Sequence, residues 1–203
     1  MEKDILNIYY KSVEYKINKR YPSLRYEVEQ LELPPSLLQY DSYWRGLESI
    51  IHDLITRFDI PVEHCLEFGT EYGYSAVAFS NYFRKVTGVD TFDGDDHTGK
   101  HANNYEEMVQ RLARWKNIKL VKSDYRDFIE NNHQHYDLIH VDIIHTFSET
   151  YNCGLWAAEH SKCAIFHDTE SYPEVKKACY QIACATNKLF YNYDKFFGLG
   201  IIV

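Results

Sequence analysis

From Cys65 onward, short apolar runs alternate with segments of helix length. Strand-like runs stand in "CLEFG", "KVTGVD", "IKLVKSD", "YDLIHVD" and "CAIFHD". Each is brief and apolar and closes on a glycine or an acid, which is how a strand buried on both faces reads. Helical spacing predicts helices near residues 73 to 83, 102 to 116, 125 to 132, 147 to 160 and 173 to 186. Two of these starts carry a capping-box pattern, Thr146 with Glu149 and Ser171 with Glu174. Alternation of strand and helix predicts a parallel sheet covered on both faces. The ending, "KLFYNYDKFFGLGIIV", holds two strand-like runs joined by a short link around Asp194. A parallel pair needs a crossover of a dozen or more residues, so these two are antiparallel. The expected fold is α/β: a doubly wound, seven-stranded, mostly parallel sheet with an antiparallel C-terminal hairpin.

Ahead of this domain, Ile5, Leu6, Ile8, Tyr9, Val13 and Ile17 fall at near-helical spacing. Pro34 and Pro35 break the pattern, because proline cannot continue a helix. From Tyr43 to Phe58, Leu47, Ile50, Ile51, Leu54 and Ile55 lie on one side of an amphipathic helix. The expected organisation is a helical N-terminal appendage, 1–45, and one domain, 46–203.

Composition narrows the partners. The formal charge is -8 and no long Lys/Arg run is present, so neither nucleic acid nor an anionic membrane is an expected partner. No apolar run reaches the roughly 20 residues of a membrane helix. The first residues lack the apolar core of a signal peptide. The five cysteines, Cys65, Cys153, Cys163, Cys179 and Cys184, include no CxxC pair. They read as reduced, partly buried thiols of a cytoplasmic protein. Tyrosine and phenylalanine are abundant, 18 and 11 residues. The Tyr-rich first segment is expected as core or as a dimer face, which would make a homo-oligomer.

In an open α/β sheet, ligands bind outside the carboxyl ends of the strands. Here those ends carry Glu67 with the turn Gly69 to Ser75, then Asp90, Asp124, Asp142 with His145, and His167 with Asp168. Gly69 and Gly73 permit a sharp turn against which a ligand can lie. Asp90 follows about 20 residues later, where an acid accepts from both hydroxyls of a ribose. Asp124 is placed to meet an adenine amino group. Glu67 and Glu71 would repel a pyrophosphate, so an adenosine ligand with a cationic amino group fits better. His167 is expected to hydrogen-bond backbone. The acidic loop "TFDGDDHTGKH" (91 to 101) has no calcium-loop spacing and reads as a solvated loop near the pocket mouth.

The stretch "LEFGTEYGYS" resembles motif I of class I S-adenosylmethionine-dependent methyltransferases, in an E-x-G-x-x-x-G-x-S form. "HVDIIHTFSETYNCGLWAAEHSKCAIFHDTESYPEVKKA" resembles the matching run of a small O-methyltransferase-like subgroup, related to cephalosporin-hydroxylase-type and sugar or macrolide O-methyltransferases. Ile143 stands where that pattern has glycine, and Ser161-Lys162-Cys163 replaces its glycine pair. The resemblance covers about Tyr43 to Val203. It implies S-adenosylmethionine as cofactor and a small-molecule acceptor, methylated at oxygen. It implies that Glu67, Gly69, Thr70, Gly73, Tyr74 and Ser75 contact the methionine part. Asp90 and Thr91 would hold the ribose, and Asp124 and Tyr125 would border the adenine. Asp142 would act as a cofactor contact or a metal ligand, with Asp168 as a second ligand for Mg²⁺. His145, with Asp142, would form the catalytic pair, His145 as general base. A nicotinamide-dependent oxidoreductase is the poorer reading on the glycine spacing and the hairpin. A non-catalytic binding module on the same fold would explain Ile143 and the missing glycines.

Overall fold

The computed structural model describes residue 12 and residues 16–94 and 103–203. Most of the first expected helix, and Asp95, Asp96, His97 and His101 of the acidic loop, lie outside the described residues.

The chain first joins the sheet through a two-residue strand, β1 (Leu24–Arg25). A 3-10 turn, Leu47–Ile50, runs into helix α1 (Ile51–Arg57). The alternating part follows: β2 (His64–Phe68), α2 (Tyr74–Ser80), β3 (Lys85–Asp90), α3 (Tyr105–Leu112), β4 (Ile118–Lys122) and α4 (Tyr125–Glu130). It continues with β5 (Tyr136–Val141), α5 (Phe147–Glu159), β6 (Ser161–His167) and α6 (Pro173–Thr186). The closing hairpin is β7 (Phe190–Tyr193) and β8 (Leu199–Ile202).

All eight strands form one sheet in the order β1-β7-β8-β6-β5-β2-β3-β4. β8 runs antiparallel to both β6 and β7; the other pairings are parallel. The seven expected strands are all present. β1 is the addition, an edge strand paired in parallel with β7, Leu24 opposite Tyr191.

Successive residues of a strand point to opposite faces, and both faces here are buried. Cys65, Val86, Leu138 and Ile165 meet α1, α2 and Leu112 of α3 on one side. Leu66, Phe68, Ile139 and Phe166 meet α5 and α6 on the other. Tyr26, Leu38 and Trp44, within the segment expected as an appendage, are part of the first of these cores. The Tyr26 hydroxyl donates to Asp53 of α1. All five cysteines are free thiols, four of them buried. No helix among the described residues is long and apolar enough to cross a membrane.

Two helix starts test the capping patterns. Thr146 Oγ1 accepts from Glu149 N at 3.3 Å, which is half of the box; Thr146 N donates to Ile144 O instead, and the Glu149 carboxylate serves Tyr125 and Arg126. The second pattern fails. α6 begins with Pro173 in its first turn and Tyr172 in the cap position, with no side-chain cap. Proline preorganises that turn and has no N–H to satisfy.

The strand order reverses between β2, which leads outward to β3 and β4, and β5, which starts the return. That switch point places a crevice at the carboxyl ends of β2, β3 and β5.

Candidate active site

The turn after β2 is fixed to the strands on both sides. Gly69 N donates to Val89 O of β3 at 2.9 Å, and Asp142 N, just past β5, donates to Phe68 O at 2.9 Å. Gly69 has φ 88 and Gly73 φ 79, a region that glycine adopts freely. Gly69 also sits against the neighbouring backbone: a Cβ there would lie 1.7 Å from the Asp142 carbonyl oxygen. Asp90 ties the turn to the next loop. Its Oδ2 accepts from Glu71 N and its Oδ1 from Phe92 N, both at 2.8 Å. A carboxylate oxygen can accept more than one hydrogen bond.

At the end of β4, Asp124 caps α4 by accepting from Arg126 N at 2.8 Å. The Arg126 guanidinium folds back over the Tyr125 ring, 4.7 Å from its centroid, and pairs with Asp124 at 3.0 Å and with Glu149. The Tyr125 hydroxyl donates to Glu149 at 2.9 Å. Burial and then the Glu149 carboxylate raise that phenol well above its ordinary value.

Two acids and two histidines meet at the ends of β5 and β6. His145 Nε2 is 3.4 Å from Asp142 Oδ1 and 3.1 Å from Asp168 Oδ2. His167 Nδ1 is 3.1 Å from Asp142 Oδ2 and 3.2 Å from Asp168 Oδ2. His167 therefore bonds carboxylates and not the backbone expected of it. Burial opposes charge on His145, but the two carboxylates prevail and raise its pKa to about 9. The same contest raises His167 to about 10. Burial would lift both acids, yet the imidazolium partners hold Asp142 and Asp168 below the usual carboxylate range. Asp168 has φ 66, uncommon for a non-glycine residue, and this aims its carboxylate back at the histidines. Ligand atoms of Asp142, His145 and Asp168 all lie within 4.8 Å of one another, a reach that one cation can span.

A cleft of about 1240 Å³ joins these parts. From the glycine turn, Gly69, Thr70, Tyr74 and Ser75 line it. Asp90 and Thr91 line it from β3, and Asp124 and Tyr125 from the end of β4. Asp142, His145, His167 and Asp168 form its other end. Two expected contacts do not reach it. Gly73 sits behind the turn, its missing Cβ facing Leu112 at 2.7 Å. Glu67 points to the opposite side of the strand from Phe68 and is fully buried. Its Oε1 lies 2.9 Å from His140 Nδ1, and His140 Nε2 accepts from Trp44 Nε1 at 3.1 Å. This buried chain ties the segment ahead of α1 to β2 and β5.

The lining is acidic. Asp41, Glu71, Glu107 and Glu149 add to the four strand-end aspartates. Among the described lining residues the one arginine is Arg126, and there is no lysine. A phosphate would be repelled here, whereas a cationic ligand gains.

Residues 66–169 match the sequence model of a family described as "Methyltransferase domain". No curated protein sequence matches the chain. Several solved structures share its fold at low identity. A putative caffeoyl-CoA O-methyltransferase from Staphylococcus aureus superposes with a TM-score of 0.59 at 16% identity, over 82% of this chain and 85% of that one. An amino pentose methyltransferase from Micromonospora echinaspora, solved with S-adenosylmethionine bound, gives 0.58 at 11%, over 80% and 91%. An O-methyltransferase from Bacillus cereus, in complex with S-adenosylhomocysteine, gives 0.54 at 15%, over 82% and 84%.

Proposed function

The chain belongs to the methyltransferase domain family, and from that premise we propose that it transfers a methyl group from S-adenosylmethionine to a hydroxyl of a small molecule. One observation carries the reading. The glycine turn braced by Asp90 and the Asp142, His145 and Asp168 cluster open into a single cleft.

The cleft fits the cofactor on its own chemistry. Its volume exceeds the roughly 300–1,000 Å³ of an ordinary ligand pocket, leaving room for an acceptor beside the cofactor. Its acids suit an ammonium and a sulfonium. When bound, S-adenosylmethionine supplies a methyl group on a positively charged sulfur. Asp90 accepts from the ribose hydroxyls. Tyr125 and Asp124 border the adenine. Glu67 contributes at one remove, by fixing β2 through His140.

At the other end, Asp142, His145 and Asp168 orient the acceptor hydroxyl. Holding two reactants in line contributes up to about 7–11 kcal/mol toward a displacement. The carboxylates keep His145 protonated at neutral pH, so it takes a proton only after giving up its own. A divalent cation held by Asp142, Asp168 and His145 would displace that proton, since metal ligands must be deprotonated. Carboxylates suit Mg²⁺ or Mn²⁺, and the imidazole suits Zn²⁺. When bound, such an ion supplies Lewis acidity toward the hydroxyl.

Thermal shift with S-adenosylhomocysteine and with NAD tests the cofactor. Stabilisation by the first and not the second is expected, and the opposite result would favour an oxidoreductase. Methyl transfer that survives exhaustive chelation would rule out the metal.

A further inference from the structure

Resting on that reading, we propose that Tyr43, Tyr172 and Phe197 form the acceptor's seat, and that it selects a ring-bearing acceptor that carries an amine and no anionic group. The three aromatic rings border the cleft and remain open to solvent: Tyr43 is 79% exposed, Phe197 48% and Tyr172 36%. Exposed apolar groups gathered at a cleft mark a binding surface more often than chance placement does. Tyr43 and Phe197 stand edge to face, 5.6 Å between centroids. Tyr172 stacks flat on His145, 4.3 Å away at 9°. A ring held among them therefore lies beside the cluster that would orient its hydroxyl.

The seat is fixed to the catalytic end. Glu170 N donates to Phe197 O at 2.9 Å, and Glu170 follows Asp168 by two residues. Phe197 has φ 68, in the left-handed region, which a phenylalanine occupies at a cost. That conformation holds half of its ring out at the mouth and not in the core.

Charge decides the rest of the acceptor's character. Asp41 lines the same rim, its exposed carboxylate 3.7 Å from the Arg45 guanidinium. Arg126 lies at the adenine end and is paired with Asp124 and Glu149. Arg45 is outside the lining, held on the Tyr40 carbonyl oxygen at 2.8 Å, over the Tyr74 ring and beside Asp41. The cations nearest the seat already face carboxylates, His145 between Asp142 and Asp168 and Arg45 beside Asp41, which leaves them poorly placed to receive a carboxylate or phosphate from the acceptor. A phosphorylated sugar or a coenzyme A thioester would bring anionic charge into an acidic cleft. An ammonium gains instead from the ring faces and the surrounding carboxylates.

Three probes with one ring and three charges test this: tyramine, p-cresol and 4-hydroxyphenylacetate, each titrated calorimetrically into protein saturated with S-adenosylhomocysteine. Tyramine should bind roughly fivefold or more tighter than p-cresol, the scale of a cation over aromatic faces. 4-Hydroxyphenylacetate should bind weakest. Tyr43→Ala and Phe197→Ala should each weaken tyramine by about threefold or more, the loss of one ring face. Both side chains are exposed, so folding should survive, and S-adenosylhomocysteine affinity should stay within twofold. Equal affinities, the reverse order, no binding of any probe, or variants that bind tyramine like the parent would overturn the proposal. Failure of the parent protein to bind S-adenosylhomocysteine would instead refute the proposed function, on a separate measurement.

Discussion

Gly69→Ala tests whether the glycine turn and the catalytic end are one mechanical unit. The added Cβ would stand 1.7 Å from the Asp142 carbonyl oxygen and 2.7 Å from its carbonyl carbon. An ordinary C···O approach is about 3.3 Å, so the two strand ends must separate by roughly 1.5 Å. Backbone is in the way, and no rotamer change relieves it. The left-handed φ of 88 adds about 1–2 kcal/mol for any residue with a Cβ. Overpacking adds about 1–3 kcal/mol. The expected loss is thus ~2–5 kcal/mol, a large part of the roughly 5–15 kcal/mol of a typical domain. Gly73→Ala is the control. Its φ of 79 carries the same conformational cost, but only the end of the Leu112 side chain, at 2.7 Å, must move. Urea denaturation should therefore rank Gly69→Ala well below Gly73→Ala. Because Asp142 N is bonded to Phe68 O, Gly69→Ala should also displace Asp142 and weaken S-adenosylhomocysteine binding. A Gly69→Ala protein as stable as Gly73→Ala, with unchanged binding, would refute the reasoning.

Trp44→Phe removes the donor to His140 Nε2 and leaves a buried acceptor unpaired. A loss of about 1–3 kcal/mol is expected by chemical denaturation, and no change would show the buried chain to be idle. The histidines of the cluster give an alkaline signature in metal-free protein. Their folded values, about 9 for His145 and about 10 for His167, lie above the ordinary 6.5. Their stabilisation is complete below 6.5 and is lost as pH rises through 9 to 10. The melting temperature in chelator should fall over that range, and His167→Gln should flatten the fall; a flat parent profile would contradict the assigned charges. His64 gives the opposite sign. Burial, and then Lys85, lower it to about 4, and it accepts from Gln134 and meets Thr87 as a neutral ring. Its stabilisation is present above 6.5 and lost as pH falls toward 4, so His64→Gln should lessen acid sensitivity, and an unchanged acid limb would count against it.

Much of the fold is legible in the sequence because parallel strands buried on both faces leave short, unbroken apolar runs. Their terminal acids mark the carboxyl ends where the cleft opens. The hairpin is legible from the length of one link. β1 is not: two residues, Leu24 and Arg25, carry no period, and they pair only because β7 offers a free edge. The direction of Glu67 is hidden for a related reason. Strand parity shows that Glu67 and Phe68 face opposite ways, but with both faces buried it does not show which face holds the cleft. The Trp44, His140 and Glu67 chain joins residues up to 96 apart in sequence, beyond any local pattern. His167 was legible as a polar residue at a strand end. Its carboxylate partners come from Asp142, 25 residues away, and from the unusual φ of Asp168.

The central claim is that this cleft holds S-adenosylmethionine with Asp90 on the ribose. Isothermal titration of S-adenosylhomocysteine into the parent protein and Asp90→Ala tests it most directly. One site per chain is expected in the parent. In Asp90→Ala the affinity should be lower by at least roughly tenfold, because two hydroxyl donors lose a charged acceptor. No binding by the parent at high micromolar ligand, or an Asp90→Ala protein that binds as the parent does, would contradict it.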